Sequence, residues 1–479
     1  MEKIRDLRDW LSKVDEIGEL RRVEGADWDL EIGVITELNT RKGNSPALLF
    51  DQIKGYPKGY RVTSSALTSP RRLGITLGVP SASTFRELVE ALRGKPDEWG
   101  TRSKDYPPKL VATGPVKENL LKGKDVDLFK FPTPKWHEHD GGRYIGTGCA
   151  VITKDPDTGW VNLGSYRIMI HDEKTVGVSA SPGKHGRIHY EKHHAKGEAC
   201  PVAISIGHDP TLFYASGLEV SPGVSEYNYV GAIKAEPVEV IEGEVTSLPI
   251  PATAEIVLEG FCPPDQGKKE GPFGEWHGYY GGLDRPLPIV NVECIYYRDD
   301  PIILGAPPGR PPHDYTYMKC VGRSILIQEA LAKAGIPDVQ GVWTHEAGDS
   351  RMLIVVSIKQ RYAGHARQAA LIASQCGAAA MMSRYIIVVD EDIDPFNTHD
   401  VLWALCTRTD PEKDIDILRR TRGNQRDPIF RSPHPGFTSK AIIDACKPFE
   451  WMDEFPTVAE STPEVQQAVL DKWKALFTD

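Results

Sequence analysis

Between about residues 116 and 315 the chain reads as short apolar runs broken by glycine and proline, and this stretch limits the fold more than any other. Runs at 149–153, 203–206, 254–258, 289–297 and 302–304 have strand length and composition. Pro132, Pro134 and the pairs at 263–264, 307–308 and 311–312 punctuate them, and helical periodicity is scarce. Strands at this spacing predict a barrel or a sandwich. On either side the rhythm changes. Ile4, Leu7, Trp10 and Leu11 recur at helical spacing, with a second helix expected from the Asp27–Asp29 cap towards Leu38. Strands at 47–50 and 60–63 and helices near 71–77 and 84–92 complete one α/β unit. After Pro312, a helix at 324–334, a strand within 351–359, a helix at 364–376 and a strand at 385–390 predict a second α/β unit. Val465, Val469, Trp473 and Leu476 lie on one face of a terminal helix.

Charge and cysteine content exclude several functions. With 57 Lys and Arg against 67 Asp and Glu, the net charge of −10 disfavours a nucleic-acid partner. No window approaches the roughly 18 apolar residues of a membrane span, so no membrane partner is expected. The first residues are charged throughout, unlike a secretory signal, and the eight cysteines form no C-x-x-C pair. A cytoplasmic protein with reduced thiols is the simplest expectation.

Four segments have the composition of a site. Asn162 to Arg167 (NLGSYR) places an amide oxygen, a glycine and a guanidinium in a strand-like run; an ordinary surface strand fits equally. Ser181 to Arg187 (SPGKHGR) offers cations and backbone N–H groups to a phosphate, or is a solvated basic loop. Glu226 follows a Pro-Gly turn, where an acid commonly begins a helix. Glu270 to Tyr280 (EGPFGEWHGYY) is the most distinctive. Its Gly-Pro-Phe-Gly turn can fold Glu270 and Glu275 into one cavity, with Phe273, Trp276 and Tyr279 supplying desolvation. His137 and His139 (WHEHD) look metal-like but lack the i, i+4 helical placement of a zinc protease. His193 and His194 read as a solvated face, while His313 and His434 sit on Pro-rich loops that can line a pocket. Neither a dinucleotide fingerprint nor a P-loop occurs.

Taken in order, the 162–167, 184–185, 224–231, 254–260, 270–275, 389–394 and 402–408 segments resemble the signature blocks of the UbiD-like decarboxylases, across essentially the whole chain. The resemblance implies an α+β multidomain protein: an N-terminal α/β domain (1–115), a flavin-reductase-like split β-barrel (116–315), a C-terminal α/β domain (316–455) and a terminal oligomerisation helix (456–479). It implies a reversible, non-oxidative (de)carboxylase using prenylated FMN. Asn162, His185 and Glu226 are then the ligands of a divalent cation, usually Mn²⁺, with K⁺ nearby. Ser165, Tyr166, Arg167, Lys184 and Ser225 contact the cofactor, and Arg167, Glu270 and Glu275 form the catalytic set, with Glu275 as proton donor. The chemistry explains the need. Loss of CO₂ from an sp² carbon leaves an electron pair that no side chain delocalises, so a cofactor must accept it. The implied substrate is an aromatic or heteroaromatic acid, with His313 and His434 on the substrate side. Cinnamate-type, polycyclic or aryl-CoA acids, or a non-catalytic flavin-binding subunit, are the alternatives. A flavin prenyltransferase as cofactor supplier and a homodimer or homohexamer complete the implied partners.

Overall fold

The computed structural model describes residues 3–43, 45–218, 220–281, 286–424, 426–429 and 436–477, and three large sheets organise them. The first helix, Leu7–Glu16, buries Leu7, Trp10, Leu11 and Val14 on one face, and Asp6 caps it by accepting from Asp9 N. Beside it lies a four-stranded sheet in the order Leu20–Glu24, Ala47–Asp51, Arg61–Ser64, Ile302–Leu304. Ile302–Leu304 comes from the far end of the middle third and pairs parallel to Arg61–Ser64. The N-terminal and middle segments therefore share a sheet edge, and Trp10, Leu49, Phe213, Tyr296 and Leu304 belong to one core.

The middle third builds a ten-stranded sheet whose pairings are all antiparallel. Its main path runs Tyr144–Gly146, Arg167–Asp172, Thr175–Ser179, Pro286–Tyr297, Ile256–Cys262, Cys200–Ile206, Ala150–Lys154, Val161–Gly164. Among the described residues the two end strands do not pair with each other, so the sheet is a curled half-barrel. It is buried on both faces, because side chains alternate along each strand. Val151, Ile204 and Leu258 point into one core, whereas Ala150, Ala203 and Val257 point into the other.

Three helices interrupt this sheet where the sequence shows little helical signal: His185–Ala195, Pro210–Gly217 and Glu226–Lys234. The first mixes His, Lys and Glu around its circumference, and the second is buried on nearly every side, so neither carries a clean apolar stripe.

Helix Asp314–Lys333 leads into a five-stranded sheet ordered Val339–Thr344, Leu353–Ile358, Tyr385–Asp390, Phe437–Ala445, Ile415–Arg422. The central three strands are parallel, with helices Asp314–Lys333 and His365–Gln375 on one face and Thr398–Arg408 on the other. Among the described residues no helix is long and apolar enough to cross a membrane. The terminal helix Pro463–Lys472 and the short turn after it leave Val465, Val469, Trp473 and Leu476 exposed.

Candidate active site

Arg167 begins a strand of the half-barrel, and its guanidinium joins both acids of the 270–280 segment. Nε and Nη2 donate to Glu270 Oε1 and Oε2 at 2.8 and 2.7 Å, while Nη1 donates to Glu275 Oε1 at 2.9 Å. The fork–fork geometry with Glu270 is the strongest form of this pairing. Both carboxylates are buried. Burial opposes the Arg167 charge, but Glu270 and Glu275 outweigh it and raise its pKa. Three of the five guanidinium N–H groups are engaged, which leaves two for another acceptor. Tyr144 donates from its hydroxyl to Glu270 Oε1 at 2.8 Å, and its ring stacks on Phe273 with centroids 3.8 Å apart.

The turn between the acids is held by backbone. Gly141 N donates to Pro272 O at 2.8 Å, and a Cβ on Gly141 would fall 2.1 Å from Gly271 O. Gly281, paired with Phe273 across a short hairpin, leaves room for the loop that carries Glu275: a Cβ there would lie 2.6 Å from Glu275 Cγ. That contact involves the root of a side chain tethered at its far end, so it cannot be relieved by rotation. Gly281→Ala is expected to displace Glu275 and lower the turnover of flavin-loaded protein by about 10²-fold, the cost of an ångström-scale misplacement. An unchanged turnover number at equal flavin content would show that the loop has slack. Of the aromatics expected to desolvate the acids, Phe273 is fully buried, but Tyr279 is 64% exposed and does not. Its position on the hairpin's outer side, next to Tyr280, turns it towards solvent.

Asn162, His185 and Glu226 converge from three elements. Asn162 lies in strand Val161–Gly164, and His185 and Glu226 are the first residues of two helices. Leu163 N donates to Glu226 Oε2 at 2.7 Å, and the Trp160 ring meets the His185 ring edge-on at 4.8 Å. Gly186 N donates to the Tyr166 hydroxyl at 3.2 Å, and Tyr166 fills the space a Cβ would take at Gly164 and Gly186. The glycine of the 162–167 segment thus makes room for the protein's own ring. Asn162 Nδ2 and Ser225 Oγ are buried without hydrogen-bond partners. Burial pushes the Glu226 carboxyl up to about 8, with the Leu163 N–H opposing it. A buried acid, an imidazole and an amide oxygen suit a hard or borderline cation.

Beside them opens a cavity of about 550 Å³ lined by Lys184, Ser221, Val224, Lys319 and Arg323, among others. Ser165 faces its wall, sharing a 2.8 Å hydroxyl–hydroxyl hydrogen bond with Ser216, the neighbour of the lining residue Gly217. Lys319 has its pKa driven down by burial and then by Arg351, Arg323 and Lys184, with Asp349 opposing. Crowded cations and two helix N-termini at the rim make this an anion site. The residues present therefore fit a phosphate-bearing cofactor with a cation. Sequence reasoning missed Lys319 and Arg323, whose i, i+4 spacing on helix Asp314–Lys333 was the available signal. It also missed Tyr144.

The remaining expectations separate. Arg187 turns away, donating to Glu191 Oε1 at 2.6 Å along its own helix. His313 is buried, with Nε2 3.3 Å from Trp276 O and 3.5 Å from Asp349 Oδ1, so it braces the loop that carries Glu275. It also lines a second cavity of about 190 Å³ with His137, Tyr280 and Arg310. His434 lies outside the described residues. Among the described residues no three His, Cys, Asp or Glu side chains cluster as a metal site, so His137, His139 and His185 form none. His193 and His194 are half-buried rather than fully solvated; His194 Nε2 lies 3.0 Å from Cys262 O.

Comparison with known proteins identifies the architecture. Family models described as the N-terminal, Rift-related and C-terminal domains of 3-octaprenyl-4-hydroxybenzoate carboxy-lyase match residues 11–92, 109–311 and 316–445. The chain belongs to the UbiD family. Among UbiD relatives, it is 33% identical to pyrrole-2-carboxylic acid decarboxylase of Pseudomonas aeruginosa, over 85% of this chain and 84% of that protein. It is 32% identical to phenolic acid decarboxylase of Sedimentibacter hydroxybenzoicus, over 93% and 92%. The structure of the UbiD-class enzyme HmfF from Pelotomaculum thermopropionicum in complex with FMN matches with a TM-score of 0.86 at 28% identity, covering 98% of this chain and all of that one. The chain is a UbiD-class carboxy-lyase of three-domain architecture.

Proposed function

We propose that this UbiD protein catalyses the reversible, non-oxidative decarboxylation of an aromatic or heteroaromatic carboxylic acid with prenylated FMN. The observation that carries the reading is one guanidinium holding two buried carboxylates, in a chain that also has a cavity lined by Lys184, Lys319 and Arg323. The names of the two decarboxylase relatives support pyrrole-2-carboxylate and hydroxybenzoates as first substrates to try. The test is CO₂ release from these acids by protein co-expressed with a flavin prenyltransferase; none from either class contradicts the substrate assignment.

Asn162, His185 and Glu226 would hold a divalent cation such as Mn²⁺, with K⁺ nearby. Lys184, Lys319 and Arg323 would receive the cofactor phosphate, and Ser165, Tyr166 and Ser225 would flank it. The bound flavin supplies the electron sink that a leaving CO₂ requires. Arg167 turns its two remaining N–H groups to the substrate carboxylate and holds Glu270 in place through its fork. Tyr144 fixes Glu270 in that geometry. Glu275 delivers a proton from its carboxyl oxygen to the carbon that has lost CO₂, and takes it back in the reverse direction.

The cation reading has a pH signature. In the cation-free protein Glu226 is protonated below about 8, so binding must expel a proton. Mn²⁺ affinity is expected to rise about tenfold per pH unit from pH ~6 and to level off near pH ~8. Calorimetric titration of flavin-free protein at three pH values checks this, and a flat profile contradicts it.

The apolar residues exposed on the terminal helix, Val465, Val469, Trp473 and Leu476, support a homodimer or homohexamer built through that helix. Truncation before residue 456 is then expected to reduce the particle mass in light scattering. An unchanged mass contradicts the assignment.

A further inference from the structure

We propose that Arg426 is a latch on Glu275: a positioning residue, carried by a loop of the C-terminal unit, that occupies the second carboxyl oxygen of the proton donor and must let go in each turnover. This deepens the reading of Glu275 as proton donor and rests on it. Arg426 Nη1 donates to Glu275 Oε2 at 3.1 Å, while Arg167 Nη1 occupies Oε1 at 2.9 Å. Both oxygens are thus occupied by guanidinium groups. One of the two contacts must open before a Glu275 oxygen can face a substrate carbon.

The geometry says which. Arg167 is bound to Glu270 by a bidentate fork and its side chain is 11% exposed. Arg426 makes one longer contact from a side chain that is 33% exposed, and water stands ready to replace it. Among the described residues three charged or titratable groups face Glu275. Arg167 comes from the half-barrel, Arg426 from the C-terminal unit, and His277 from its own loop, where burial lowers the imidazole pKa and Glu275 opposes that. Glu270 lies on the far side of Arg167.

Arg426 is also tied to the C-terminal unit. Its backbone N donates to Asn424 Oδ1 at 2.9 Å, and the adjacent Asp427 is buried and paired with Arg384 at the start of strand Tyr385–Asp390. The same unit grips the donor loop twice more. The Arg351 guanidinium lies 4.6 Å over the Trp276 ring, and Asp349 faces His313, which touches Trp276 O. A shift of the C-terminal unit against the half-barrel therefore alters the hold on Glu275 directly.

The proton balance follows. The C–CO₂ bond breaks and CO₂ leaves. The electron pair kept by the ring carbon takes the Glu275 proton to form C–H, and Arg426 returns to the resulting carboxylate. Release of Arg426 then lets solvent reprotonate Glu275.

The test uses flavin-loaded protein. Exchange of ring hydrogen of pyrrole and phenol with D₂O is expected to run about fivefold faster in Arg426→Met, the worth of a partly exposed ion pair, with KM for the acid unchanged. Arg426→Lys restores the parent rate, and Arg426→Gln, of closer shape, serves if the Met variant misfolds. Exchange no faster than the parent's overturns the latch. If Glu275→Gln alone keeps full exchange, the donor assignment fails. If it abolishes exchange while Arg426→Met matches the parent, only the latch fails.

Discussion

Replacing Glu275 with Gln is expected to lower turnover of the flavin-loaded protein by about 10²- to 10⁴-fold, the range for loss of one general acid. Glutamine keeps the volume and can still accept from Arg167 Nη1, which in the parent lies 2.9 Å from Glu275 Oε1. The fold and the cofactor cavity should therefore persist, and flavin content should match the parent. What is lost is the exchangeable proton, so deuterium entry into the product ring must fall with turnover. Turnover and exchange within a factor of two of the parent would remove Glu275 from the chemistry and leave Glu270 as the acid to examine.

Arg167→Met has the second large effect, and it reaches stability as well as activity. Glu270 and Glu275 are 1% and 6% exposed, and without Arg167 they retain, among the described residues, the side-chain hydrogen bonds of Tyr144 and Arg426. Stranding a buried charge in this way costs about 3–5 kcal/mol. Denaturant unfolding of the flavin-free protein measures it, and turnover of the loaded protein should drop below detection. Arg167→Lys separates the two effects. A single ammonium restores part of the charge balance but cannot reproduce the fork to Glu270, so stability recovers in part and turnover does not. Parent-like stability in Arg167→Met would mean that the two carboxylates are not held by this pair.

These predictions rest on a site of which the sequence exposes one half. Glu270 and Glu275 are legible because a Gly-Pro-Phe-Gly turn can fold two acids towards one cavity, whereas the Pro-Gly turn before Glu226 marks only a helix start, and its place as a ligand comes from the family resemblance. The other half is assembled by tertiary structure from residues without local pattern. Tyr144 reaches Glu270 across 126 positions, and Arg426 reaches Glu275 across 151. Lys319 and Arg323 look like ordinary helix charges until the cavity is seen beside them. At the fold level, the strands at 302–304 and 385–390 stand where the apolar runs place them. Helix Pro210–Gly217 is hidden because burial on nearly every side erases the polar stripe that periodicity needs. Ile302–Leu304 has the sequence of any buried strand, and nothing local says that it joins the N-terminal sheet.

The most direct test is product analysis of protein co-expressed with a flavin prenyltransferase and incubated with pyrrole-2-carboxylate and hydroxybenzoates. The expected result is CO₂ and the matching decarboxylated ring in equal amounts, dependent on the co-expressed transferase and lost in Glu275→Gln. Protein that carries the prenylated flavin by mass yet releases no CO₂ from any of these acids would contradict the assigned reaction.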